Sequence, residues 1–119
     1  MKAHIDITLD CGDAAKLAEF WRRALGYRVL GSDDTYVVLV PAEGVAPPLV
    51  LQRVPEPKSG KNRMHVDLVT DEVEVEVARM EELGAVRLHD EVQWAGDARW
   101  LTMADPEGNE FCVCTGVAW

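Results

Sequence analysis

What this chain lacks narrows its class before anything in it is read. Its three cysteines, Cys11, Cys112 and Cys114, are odd in number and follow no framework spacing. They therefore read as reduced thiols in a cytoplasmic protein and not as the staples of a secreted scaffold. No apolar run approaches the ~18 residues of a membrane span. The opening Met1-Lys2-Ala3-His4-Ile5-Asp6 carries no apolar segment of a secretory leader. Positive charge is scarce, with 12 Lys and Arg against 21 Asp and Glu and a net charge of −9. That balance disfavours phosphate backbones and anionic membrane surfaces as partners, so neither nucleic acid nor membrane is expected. A phosphate loop, a Cys-x-x-Cys pair, a Gly-x-Ser-x-Gly elbow and a dinucleotide fingerprint are all missing.

What is present describes an ordinary globular domain. Apolar residues make up 48% of the 119 and charged residues 28%, a length able to bury roughly two thirds of the unfolded surface. Ile5, Ile7 and Leu9 alternate with Asp6, Thr8 and Asp10, the pattern of a strand with one polar face. Asp13 suits a helix N-cap. Behind it Leu17, Phe20, Trp21, Ala24 and Leu25 form one apolar stripe, ended by Gly26. Strands follow at 29–30, 36–40 and 49–54, the first two separated by a turn at 31–34. Residues 58–63 read as a linker. From 64 to 69 the alternation returns, with His65 and Asp67 on one face and Val66 and Leu68 on the other. Residues 73–77 fit either a strand or a helix, and Asp71 with Glu74 resembles a capping box, which favours helix.

An internal comparison resolves the ambiguity. Asp13 precedes Leu25-Gly26 by the same interval as Asp71 precedes Leu83-Gly84, and both intervals follow an alternating strand and lead into further strands (85–89, 99–103 and 109–115 in the second case). The chain therefore reads as α+β, two copies of β-α-β-β-β: module one at 1–57, linker 58–63, module two at 64–119. Eight strands whose helix-free faces curl around a shared cleft are expected. The last strand leaves the turn Asp105-Pro106-Glu107-Gly108-Asn109, where Pro presets φ and Gly accepts φ > 0. Its polar and sulfur-bearing side chains, Glu110, Cys112 and Cys114, share one face.

The paired strand-Asp-helix-Leu-Gly units, the interval from His65 to Asp71 and the closing turn resemble the glyoxalase/bleomycin-resistance/extradiol-dioxygenase superfamily, also called vicinal oxygen chelate proteins. Phe20-Trp21, Gln52-Arg53-Val54-Pro55 and Asn109-Glu110-Phe111-Cys112 resemble its small glyoxalase-like subgroup. The resemblance implies a divalent metal (Zn, Fe, Mn or Ni) held by the first, fourth, fifth and eighth strands, usually through two His plus Glu or Gln. Carried over by position, the set here is Asp6, Gln52, His65 and Cys112. His4 lies two residues from Asp6 on the same strand face. Glu110 shares the face of Cys112 but sits one pleat nearer the turn, ~6–7 Å away. The family's last glutamate is thus replaced by cysteine. An Asp/Gln/His/Cys set suits a Zn²⁺-like ion with an open position.

The same residues admit plainer readings. Cys112 and Cys114 read as small reduced lining residues before they read as nucleophiles. His65 beside Asp67 is a metal ligand, an acid–base group or simply a polar residue of the cleft. Asp6 and Asp10, inward-facing carboxylates, are candidate bases unless Arg53, Arg63 or His4 satisfies them. Trp94 and Trp100, which flank a loop expected at 93–99, either stack on a planar ligand or serve as core or dimer-interface anchors. Asp6, His65 and Glu110 are the catalytic candidates; His4, Asp10, Asp67, Trp94, Trp100 and Cys112 are the ligand-binding ones. Three functions follow: a small-molecule-binding glyoxalase-like protein with an incomplete metal site and its ligand in the cleft between the modules; a metal-dependent lyase, isomerase or dioxygenase with an altered ligand set; and a bleomycin-resistance-type drug-sequestering protein. The superfamily's habit of pairing modules across chains implies a homodimer.

Overall fold

The computed structural model describes residues 5–115 and divides the chain between Lys58 and Ser59. The first unit runs β1 (Ile7–Cys11), α1 (Ala14–Leu25), β2 (Tyr27–Ser32), β3 (Tyr36–Pro41) and β4 (Leu49–Arg53). The second runs β5 (Val66–Val69), α2 (Val73–Leu83), β6 (Val86–Arg87), β7 (Gln93–Ala95), β8 (Ala98–Ala104) and β9 (Glu110–Cys114). The expected α+β class and the β-α-β-β-β repeat are both present. The repeat shows in the strand orders, β1-β4-β3-β2 in one open sheet and β5-β9-β8-β6 in the other. In each unit the first and last strands lie side by side and parallel, with the helix as the crossover that parallel pairing needs.

The second unit departs from the expected count by one strand. Residues 93–99, expected as a loop, fold back as a hairpin in which Ala95 faces Ala98 across Gly96 and Asp97. Gly96 takes φ 60, the backbone that a two-residue hairpin turn demands of its first central residue. A smaller difference concerns residues 31–34. Strand β2 continues through Gly31 and Ser32 past a register shift. The reversal then falls on Asp33, whose Oδ1 accepts from Thr35 N at 2.9 Å and Tyr36 N at 2.8 Å.

The helices cover the inner faces of their own sheets. Asp13 caps α1, its Oδ1 accepting from Lys16 N at 3.0 Å, and Gly26 closes it in the left-handed conformation. The stripe Leu17, Phe20, Trp21 and Ala24 is buried, with Phe20 edge-on to Trp21 at 5.1 Å between centroids. Each large side chain so buried contributes about 1.5–3 kcal/mol. In α2 the buried stripe is Val73, Val77 and Met80. Its capping box does not form. The N-cap is Glu72, one residue later than the repeat implies, and makes no side-chain cap. Asp71 therefore lies outside the first turn. Thr70 Oγ1 accepts from Glu72 N instead, and Glu74 is drawn to Arg99 on β8.

Arg99 itself stacks 4.7 Å over Trp94 and keeps a buried Nε that meets no acceptor among the described residues. His89 closes the neighbouring strand end: Thr102 N donates to its Nε2 at 3.0 Å while Nδ1 meets Glu91 O.

One polar side chain is buried among these apolar ones. Asp105 is 3% exposed. Its Oδ1 accepts from Glu107 N and Asn109 N, each at 2.9 Å, and its Oδ2 from Asn109 Nδ2 at 2.9 Å. The backbone closes the same turn, with Asp105 N donating to Asn109 O and Gly108 N to Asp105 O. Gly108 adopts φ 86, a left-handed backbone that side chains oppose. The carboxylate thus satisfies the amides that would otherwise be stranded where β9 starts. Asp105→Ala is expected to lower unfolding free energy by roughly 3 kcal/mol, since each buried donor left unmade costs about 1–3 kcal/mol. Urea unfolding measures it, and an unchanged midpoint would show that the turn holds without its carboxylate.

Candidate functional site

The face of the second sheet turned away from α2 gathers the chemistry. Along β9, Phe111 and Val113 point to the buried side while Glu110 and Cys112 lie opposite them. Register then decides their company. Cys112 faces Asp67 on β5 and Thr102 on β8, and residues directly opposite in a sheet share a face. His65 immediately precedes β5, and its Nε2 lies 3.2 Å from Asp67 Oδ1. A ligating atom from each of His65, Asp67 and Cys112 falls within 4.8 Å of the other two. These side chains open onto a groove of about 380 Å³ that Trp100, Thr102, Cys114 and Arg99 help to line.

Of the residues singled out from the sequence, the structure brings together His65, Asp67, Cys112 and Trp100. Glu110 stays beside them on β9 but accepts from Asn62 N at 3.2 Å and takes no part in the groove wall. Trp94 faces the other way: it lies opposite Arg99, on the α2 side, whereas Gln93 lies opposite Trp100. Asp6, Asp10 and Gln52 belong to the first unit. There Asp10, not Asp6, stands level with Gln52 across β1 and β4. Asp6 and Asp10 are both exposed. His4 lies outside the described residues. Sequence reasoning missed Thr102, which the alternation from Trp100 places on the groove face.

Electrostatics set the state of the thiol. Burial pushes the Cys112 thiol upward from its ordinary value, and the negative charges of Asp67 and Glu110 push it further. A hydrogen bond with Thr102 and the charge of Lys61 oppose the rise without cancelling it. Thr102 Oγ1 lies 3.6 Å from Cys112 Sγ. A neutral thiol is a poor nucleophile. The plainer reading of Cys112, a small reduced lining residue, is the one this geometry favours over a nucleophile.

The first unit carries a cavity of about 440 Å³ near the start of α1, lined by Asp13, Asp33, Asp34 and Arg53 among others. Two of those carboxylates are already committed to backbone amides, Asp13 to Lys16 N and Asp33 to Thr35 N and Tyr36 N. The amide bonds hold Asp33 below the usual carboxylate range. This cavity offers structure where the other groove offers reactive groups.

A divalent ion of the kind the fold implies finds a partial fit in the second unit. One imidazole, one carboxylate and one sulfur converge there, a mixed set compatible with a borderline cation and unlike an all-oxygen cage.

Two parallel-closed sheets, each crossed by one helix, define a glyoxalase-type α+β protein. The chain belongs to the glyoxalase-like domain family, whose profile matches residues 6–114. No curated protein sequence matches it. Among solved structures it resembles a mutant of the fosfomycin resistance protein FosX from Listeria monocytogenes, complexed with Mn(II) and a dihydroxypropylphosphonic acid. There the TM-score is 0.76 at 16% identity, over 98% of this chain and 93% of that one. A glyoxalase/bleomycin resistance protein/dioxygenase family enzyme from Burkholderia phytofirmans PsJN gives TM-score 0.74 at 16% identity, over 92% and 98%. The hypothetical protein SA1046 from S. aureus gives 0.74 at 17%, over 98% and 95%. At these identities the likeness is one of fold.

The charge around Cys112 makes a measurable difference to its reactivity. Iodoacetamide is expected to label Cys112 in the folded protein more slowly than an unstructured thiol at neutral pH. Asp67→Asn should speed labelling roughly two- to five-fold, because removing the negative charge brings the thiol down and raises the thiolate fraction. Peptide-resolved mass spectrometry reads both rates, and equal rates in the two proteins would show that Asp67 does not act on the thiol.

Proposed function

We propose that the chain is a small-molecule-binding glyoxalase-like protein whose ligand lies on the open face of the second unit's sheet. The observation that carries this reading is the convergence of His65, Asp67 and Cys112 within 4.8 Å in a groove that Trp100 also lines. Such a groove joins an apolar stacking wall to a compact polar end, the usual division of labour in a ligand site. The polar end is acidic. Asp67 and Glu110 both bear on Cys112, and the chain as a whole carries −9. An aromatic ligand with a positive or hydrogen-donating group suits that balance better than an anion does.

The His65–Asp67 contact adds a chemical possibility. With Nε2–H donated to Asp67, Nδ1 keeps its lone pair and can accept a proton from a bound ligand. A divalent metal, as in the FosX complex, would be held here by His65, Asp67 and Cys112 and would supply positive charge to polarise a bound oxygen. Support for a small-molecule occupant also comes from that neighbour's phosphonic acid, although its identity to this chain is only 16%.

Tryptophan fluorescence tests the reading. Proflavine, a planar aromatic cation, is expected to quench the protein saturably. Trp100→Phe should remove most of that quenching and Asp67→Asn should weaken binding roughly five-fold, the equivalent of about 1 kcal/mol. Unsaturable quenching by proflavine and by neutral and anionic aromatic probes alike would overturn it.

A further inference from the structure

We propose that the first unit carries a binding site of its own, for a free α-amino acid with an aliphatic side chain, in the cavity at the carboxyl ends of β1 and β4. None of its lining residues belongs to the groove of the second unit. The two strands run parallel and end together, with Cys11 opposite Arg53, and α1 begins at Ala14. In open sheets with helical crossovers, the carboxyl ends of parallel strands are where ligands collect. The cavity there measures about 440 Å³, within the roughly 300–1,000 Å³ of small-molecule pockets. Arg53 comes from the Gln52-Arg53-Val54-Pro55 stretch, which contributes nothing to the groove of the second unit.

Charge decides the kind of ligand. Among the described residues, three carboxylates and one guanidinium line the cavity, and two of the carboxylates are committed. Asp13 caps α1 through Lys16 N, and Asp33 holds Thr35 N and Tyr36 N. The start of α1 is thus closed by its own side chain and is not the anchor. Asp34 and Arg53 remain, both exposed, and neither side chain meets a partner among the described residues. They stem from neighbouring backbone, since Arg53 N donates to Thr35 O at 2.7 Å, one residue past Asp34. A cation and an anion set close together match a ligand that carries both charges close together. In a free α-amino acid a single carbon separates carboxylate from ammonium. The carboxylate meets the guanidinium fork of Arg53, whose geometry suits a bidentate pair, and the ammonium meets Asp34.

An adjoining groove takes the side chain. It holds about 180 Å³ and shares Ala15, Ser32 and Val37 with the cavity. Ala18 and Val29 line the groove but not the cavity. Val29 is apolar yet 47% exposed, so an aliphatic side chain laid against it removes apolar surface from water. Glu19 and Arg22, also on the groove, are joined to each other at 2.8 Å. They leave the ligand's charges to Arg53 and Asp34. A charged end, a shared wall and an apolar slot follow one another, which is the layout of an aliphatic amino acid.

Equilibrium dialysis of the full chain against radiolabelled L-leucine tests the site. Expected is saturable binding of one leucine per chain. Arg53→Gln should weaken it about tenfold or more and Asp34→Asn about fivefold. Both positions are exposed, and the bond from Arg53 N to Thr35 O runs through the backbone, so neither change puts folding at stake. Three competitors need no variant at all. Leucinamide lacks the carboxylate, 4-methylpentanoate lacks the ammonium and glycine lacks the side chain, and each should displace leucine about tenfold less well than unlabelled leucine does. The proposal is overturned by no saturable binding at millimolar leucine, by leucinamide or 4-methylpentanoate competing as well as leucine, or by Arg53→Gln binding leucine as tightly as the parent. Proflavine quenching reads Trp100 in the second unit, so either experiment can fail while the other succeeds.

Discussion

The second unit depends on one buried carboxylate. Asp105 gathers the amides of Glu107 and Asn109 and the side chain of Asn109 at the mouth of β9. Its backbone closes the same loop from both sides. The consequence reaches beyond the turn, because side chains in a strand alternate with period two. Had β9 left the turn one residue earlier or later, Phe111 and Val113 would face solvent and Cys112 would face α2. Fixing the turn fixes the register with β5 and β8. The register in turn puts Cys112 between Asp67 and Thr102. A local hydrogen-bond cluster thereby determines the chemistry of a surface several residues away.

Much of this was legible in the sequence, and what was not has physical reasons. The helix α1 could be read outright, since Asp13, the stripe from Leu17 to Ala24 and Gly26 are all local signals within a few residues of one another. The repeat could be read because each helix ends at the same interval from an acidic residue. That comparison misled by one residue at α2, where the N-cap falls on Glu72, Thr70 bonds the amide of Glu72 ahead of the first turn and Glu74 is claimed by Arg99. Tertiary contact outbid a local motif there. The hairpin of β7 and β8 was overlooked although Gly96-Asp97 between Ala95 and Ala98 carries a two-residue turn signal.

The site was less legible than the fold for a different reason. That His65 and Asp67 share a face follows from alternation alone. That Cys112 joins them requires knowing that β5 and β9 are neighbours, parallel, and paired Asp67 to Cys112. No residue pattern within either strand states this. Trp94 and Trp100 show the same limit from the other side. Six residues apart in an assumed loop they look equivalent, yet the two-residue turn sends them to opposite faces, one toward Arg99 and one into the groove.

The parallel closure of each unit has a bearing on when the groove can exist during the life of the chain. Its walls come from β8 together with β5, the first strand of the second unit, and β9, the last, so nothing resembling the complete site is present until the final strand has docked. Local elements such as α2 and the β7–β8 hairpin can form early, but β5 against β9 is the longest-range pairing of that unit and the one whose loop must be closed at the greatest entropic expense. A nascent or partly unfolded unit therefore exposes three separated side chains with no common grip on a ligand. Occupancy of the groove becomes a report that the second unit has finished folding, and whatever binds there draws its stabilisation from the completed sheet alone.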